Sequence, residues 1–291
     1  MSVSPANRPD PEKLVRDLRT PTRGRVFDLD PGRFPGMPIW AGHPPFQVVT
    51  YRTPKGLRLR GDQTWLAPEV NEANIGIMSE MVIATCHSGA HIDALAHITC
   101  GTDDHWHGGS SAADALGDFG PTDHDASTIP PIVSRAVLAD VAGYLGVERL
   151  DRSYPVSVDE FEGALARQGV RLGRGDVALV RTGQMSVWPD REKMAETRGS
   201  GITKPVADLA ADMELVAVGV DTESCEVVPS IVPGNPHPVH QRLLIEAGIY
   251  IMENVYLEEL ASAGVYEFLF LALPPRIEGA TGAMLRPIAI V

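Results

Sequence analysis

The chain has little cysteine, no long apolar run and no excess of positive charge. Cys86, Cys100 and Cys225 are its only cysteines in 291 residues. An odd number without CxxC spacing excludes a disulfide framework and points to a reducing compartment. The longest apolar run, Phe268 to Leu273, is too short to cross a bilayer. Lysine and arginine number 25 against 38 aspartates and glutamates, a formal net charge of −13 at pH 7. That balance argues against nucleic acid or an anionic membrane surface as the main partner. There is no GxGxxG or Walker A loop and no GxSxG elbow, which disfavours nucleotide cofactors and serine-hydrolase chemistry. The first twenty residues hold no apolar stretch of the secretory kind, so a cytoplasmic protein is expected.

What is present reads as globular, with 44% apolar and 22% charged residues. Segments 25–29, 46–51, 76–84, 132–138, 177–181, 215–220, 249–253, 268–272 and 288–291 read as strands. Several are almost continuously apolar, as expected where both sheet faces are covered. Ser157-Val158-Asp159-Glu160 is a capping-box pattern opening a helix that Gly169 closes. Further helices are expected at 206–213 and at 239–247, the latter ending at Gly248. The Pro-rich, charged residues 1–24 read as an N-terminal extension, and 25–291 as a single domain of mixed α/β character.

The densest chemistry lies in His87-Ser88-Gly89-Ala90-His91-Ile92-Asp93-Ala94-Leu95-Ala96-His97. Core packing does not ask for three imidazoles and a carboxylate in eleven residues. In an extended chain alternate residues share a face, so His87, Gly89, His91 and Asp93 point one way. A helix would pair His87 with His91 but turn Asp93 aside. An extended or bent segment therefore offers two nitrogens and one oxygen to a single point. Such donors suit Zn²⁺, Mn²⁺ or Fe²⁺ better than Ca²⁺ or Mg²⁺.

Other candidates carry a plain alternative each. Asp221 follows the strand at 215–220, where open α/β sheets place ligands, yet such residues are more often turn or cap residues. Glu253, inside an apolar strand, is costly unless it is paired, metal-bound or at an exposed edge. His237 and His240 follow Pro-Gly-Asn-Pro, and unaided His240 reads as a helix-face residue. His105 and His107, with Trp106 between them, either widen the site or form a surface loop.

The motif HSGAHIDALAH resembles the HxGTHxDxxxH signature of the cyclase family, which includes bacterial kynurenine formamidase and isatin hydrolase. Echoes continue through Asp28-Leu29, Ala178-Leu179-Val180-Arg181-Thr182-Gly183, Gly219-Val220-Asp221, His240-x-x-Leu243-Leu244 and Gly248-Ile249-x-Ile251-x-Glu253-Asn254. The resemblance implies a swivelling β/β/α-type fold, homo-oligomeric as a dimer or tetramer. It implies hydrolysis of a C–N bond by metal-activated water, with one or two divalent ions, zinc or manganese. On this resemblance His87, His91 and Asp93 are metal ligands. His240 and Glu253 match residues that help hold a second ion, with Asp93 bridging. His97 falls on the proton-transfer histidine. Two departures stand out: Ala90 replaces the usual threonine, removing a hydroxyl beside the ligands, and Leu95 replaces a proline. The expected function is hydrolysis of a small cyclic amide, imide or N-formyl compound. The alternatives are a metal-dependent cyclase or dehydratase of secondary metabolism, or a noncatalytic metal-binding scaffold.

Overall fold

Apolar runs too rich for a one-sided sheet dictate the centre of the fold. The computed structural model describes residues 10–291, so the first nine residues of the expected extension lie outside the described residues. Nine strands form one mixed sheet. They are β1 (Val26–Asp28), β2 (His91–Asp93), β3 (Ile132–Asp140), β4 (Val177–Arg181), β5 (Ala217–Val220), β6 (Tyr250–Glu253), β7 (Glu267–Ala272), β8 (Gly282–Met284) and β9 (Ile288–Ile290). Their order is β1-β9-β7-β3-β4-β5-β6-β2-β8. The inner four, β3-β4-β5-β6, run parallel, and the flanking pairs are antiparallel. Every residue of β4, β5 and β6 is buried, which is why these strands are nearly unbroken apolar sequence.

Helices cross between the parallel strands. In α1 (Val158–Gln168) the Ser157 hydroxyl accepts from the Glu160 backbone N–H while Glu160 reaches back to the Ser157 N–H, and Gly169 ends the helix in the left-handed region. Its Phe161, Ala164 and Leu165 are buried, while α2 (Lys204–Asp212) buries Val206, Ala207 and Ala210. The helix expected at 239–247 is present, but its winding changes: one α-helical turn, Pro238–His240, runs into a π-helical segment, Gln241–Ala247. π turns of this kind often mark functional positions, and His240 sits at the junction. Within the extension, helix Pro11–Asp17 is tied to β3 by Lys13 and Asp17, both bonded to Ser134.

Contacts divide the chain into two compact units, Arg33–Thr85 and the remainder. The smaller unit pairs strands Gln47–Arg52 and Ser79–Ile83 antiparallel, with helix Pro54–Arg60 between them. Its strands leave Val48, Val49, Tyr51, Met81, Val82 and Ile83 exposed. All described catalytic candidates belong to the larger unit. No helix among the described residues is long and apolar enough to cross a membrane.

Candidate metal centre

The histidine-rich segment bends before it extends. Only His91–Asp93 is strand, and the chain turns at Gly89, whose φ of 61° suits a residue without a side chain. Ile92 points into the core while His91 and Asp93 share the opposite face. Gly282 on β8 lies directly across from Asp93. A Cβ there would come within 2.5 Å of the His87 ring, so its glycine makes room for that imidazole.

Sheet register brings the distant carboxylate in. Glu253 stands opposite His91 in the antiparallel β6–β2 pair, and facing side chains of such a pair meet. Glu253 Oε2 lies 3.3 Å from His91 Nε2, and its Oε1 lies 3.4 Å from His240 Nε2. Asp93 Oδ1 is 2.8 Å from His87 Nδ1 and 3.7 Å from His91 Nε2, while Oδ2 is 3.9 Å from His240 Nε2. The His97 ring stacks against His87 at 4.2 Å between centroids and stands 6.2 Å from His240. Ligand atoms of His87, His91 and Asp93 lie within 4.8 Å of one another, and so do those of Asp93, His97 and His240. The six residues singled out in the sequence thus converge on one point.

Three of these rings are held by their far nitrogens. His91 Nδ1 donates to the Gly89 carbonyl, His87 Nε2 lies 3.2 Å from the Thr281 hydroxyl, and His240 Nδ1 donates to Glu226. This leaves His87 Nδ1, His91 Nε2 and His240 Nε2 facing the carboxylates. Outer hydrogen bonds of this kind set tautomer and ring direction at metal sites. Thr281 brings a hydroxyl to His87 from the far end of the sequence, in a site where Ala90 lacks one.

Asp93 is fully buried, and neither of its oxygens accepts an aligned hydrogen bond from any described residue. A buried carboxylate left so is costly unless a cation completes it. Burial acts to raise its pKa, but the surrounding imidazoles, His97 foremost, outweigh that and hold it below the usual carboxylate range. Burial, against the charge of Asp93, pushes His97 down to about 4. Burial also opposes protonation of His240, yet Glu226 and Glu253 overcome it and carry the ring up to about 10. The donor set fits a divalent ion: imidazoles and two carboxylates, one of them with neither oxygen in an aligned hydrogen bond.

The structure sorts the other candidates. Asp221 is fully buried at the end of β5, but its carboxylate accepts from Thr182 N, Thr182 Oγ1 and Gly183 N, all at 2.8 Å. It is a turn-holding residue. His105 bonds to Asp103 and Cys100, and His107 Nδ1 donates to the Ile245 carbonyl, so these rings brace loops. Glu226 was not visible in the sequence. It sits in no recognisable motif, and only the folded chain places it behind His240.

A family model described as "Putative cyclase" matches residues 27–227, more than half of the chain. The chain belongs to the cyclase family. The matched span holds His87, His91, Asp93 and His97 and stops before His240 and Glu253. Among solved structures, one described as a novel cyclase is 27% identical with a TM-score of 0.84, covering 98% of this chain and 95% of that one. Isatin hydrolase A from Ralstonia solanacearum is 20% identical, TM-score 0.66, covering 99% of both chains. Isatin hydrolase A from Labrenzia aggregata is 17% identical, TM-score 0.65, covering 92% of this chain and 93% of that one. No curated protein matches. The mixed α/β, swivelling β/β/α-type fold expected from the motif is the fold shared with the cyclase structure over nearly the whole chain.

Proposed function

We propose that this cyclase-family chain is a metal-dependent hydrolase that cleaves an amide C–N bond in a small cyclic amide, imide or N-formyl compound. The observation that carries the proposal is Asp93: a buried carboxylate without an aligned donor, ringed by His87, His91, His97 and His240. His87, His91 and Asp93 would hold one divalent ion, zinc or manganese, and Asp93, His240 and Glu253 a second. When bound, such a cation acidifies a water and polarises a carbonyl.

The protein's own groups then divide the remaining work. His97, held near a pKa of 4, is neutral at pH 7 and has a ring nitrogen able to accept a proton. It takes the proton from the attacking water and returns it to the departing nitrogen, a role worth about 10²–10⁴-fold in rate. Gly89, Thr281 and Glu226 keep the neighbouring rings pointed inward, so no reorganisation is needed as charge develops on the carbonyl oxygen. Sparse positive charge on the chain as a whole fits a neutral or weakly polar substrate better than a polyanion.

The working part of the chain is residues 25–291, with 1–24 as an extension, and the free cysteines fit the cytoplasm. Homo-oligomers are part of the proposal: exposed Val48, Val49, Tyr51, Met81, Val82 and Ile83 on a two-stranded ribbon form the kind of apolar surface that a partner covers. A second reading is ring closure or water loss rather than hydrolysis. It is favoured by the novel cyclase, which is more similar in sequence and fold than the isatin hydrolases. Protein purified without added metal, assayed for metal content and turned over on cyclic amides and N-formyl arylamines in H₂¹⁸O, separates the readings. Hydrolysis puts ¹⁸O in the product. Turnover without label uptake overturns it in favour of cyclisation.

A further inference from the structure

Behind His240, on the side away from Asp93 and Glu253, a second carboxylate is fully buried. Glu226 is 0% exposed. Its Oε1 accepts from His240 Nδ1 and lies 3.2 Å from His237 Nδ1, and its Oε2 accepts from the Val239 backbone N–H at 3.0 Å. The backbone on either side is pinned: Ile202 N donates to the Cys225 carbonyl and Val227 N donates to the Ile202 carbonyl. Glu226 therefore cannot swing toward the cluster in front of His240. A cation binds only the neutral imidazole, which carries one proton. An acceptor fixed at Nδ1 keeps that proton there, so that Nε2 is the nitrogen that gives up its proton to the cation.

We infer that Glu226 is a positioning residue, outside the ligand set, that fixes the tautomer and direction of His240 so that Nε2 faces the cation shared with Asp93 and Glu253. Its own oxygens are occupied by three donors, so it orients a ligand instead of serving as one. His237, half-exposed, closes the outer side of the same oxygen and is dispensable for this role. The inference rests on the metal-site reading above.

The test is chelator competition for zinc on Glu226→Gln, Glu226→Ala, His237→Ala and His91→Ala, each beside a thermal melt. Outer partners of ligating histidines usually account for 10–100-fold in metal affinity. Glu226→Ala is expected to weaken zinc by that amount. Glu226→Gln, which keeps an amide oxygen for Nδ1–H but loses the charge, is expected to weaken it less, and His237→Ala by under threefold. Where Glu226→Ala does not fold, the Gln variant decides. In the zinc-loaded wild type, long-range ¹H–¹⁵N spectra are expected to show zinc on His240 Nε2 and a slowly exchanging proton on Nδ1. That proton should move upfield and exchange faster in Glu226→Gln, and zinc on Nδ1 instead overturns the inference. Zinc affinity unchanged in both Glu226 variants while His91→Ala loses it overturns this inference alone. Unchanged affinity in His91→Ala overturns the metal site itself, and the inference with it.

Discussion

Two aspartates lie fully buried in the same sheet, Asp93 on β2 and Asp221 at the end of β5, and the fold treats them oppositely. Around Asp221 the loop after β4 wraps its backbone and a hydroxyl onto both oxygens, so the carboxylate is complete without any outside group. Around Asp93 the neighbours are ring nitrogens, those of His91 and His240 with Nδ1 bonded to groups outside the cluster, and both oxygens are left without aligned donors. Their titration differs accordingly. Burial pushes Asp221 up to about 6, although the bonds from Thr182 act the other way. Asp93 is held low by imidazoles despite equal burial. Depth alone therefore does not set these two acids apart. What distinguishes them is whether the protein itself satisfies the oxygens.

The largest expected consequence of this contrast is at Asp93. Asp93→Ala should remove bound metal and lower turnover about 10³-fold or more, the scale of several kcal/mol of charge stabilisation. Asp221→Ala should leave metal content unchanged. Elemental analysis of the two purified variants checks both, and equal metal loss would erase the distinction drawn here.

Next in size is His97, which borders Asp93 without having a comparable neighbour at Asp221. His97→Ala should retain metal and lose about 10²–10⁴-fold in turnover. Wild-type rate with an unchanged pH profile would remove His97 from the chemistry.

The smallest effect concerns pH and stability at Asp221. Its folded pKa of about 6 lies above the ordinary 3.8, so between those values the folded chain holds this proton more tightly than the unfolded one. Its contribution is therefore most favourable below pH 3.8 and is lost as pH rises through 6. Asp221→Asn should lower stability overall, since Gly183 N loses its acceptor. It should also remove a pH-dependent loss of up to about 3 kcal/mol across that window. Urea midpoints of both proteins from pH 4 to 7 give the difference, and parallel curves would show that Asp221 ionises as freely folded as unfolded.

How legible each part was follows from the range of the interaction behind it. The strand at 177–181 and the cap at Ser157 were readable because burial on both faces and a side chain three residues from its partner are local signals. His87, His91 and Asp93 were readable for the same reason, all lying within seven residues. Of the extended or bent forms expected for this segment the fold takes the bent one, turning at Gly89 and becoming strand at His91. Glu253 could be seen as an anomaly in an apolar strand, but not which histidine it faces. That depends on the register between β6 and β2, strands more than 150 residues apart.

From the order of residues alone came the α/β class, the capped helix and a cluster of nitrogen and oxygen donors, because periodicity and close spacing act within a few residues. Only the folded chain wrapped Asp221 in loop donors, set Glu253 against His91 and put Glu226 behind His240. Those outcomes depend on which strands pair and which donors reach a buried oxygen, and such partners are brought together by packing rather than by proximity along the backbone.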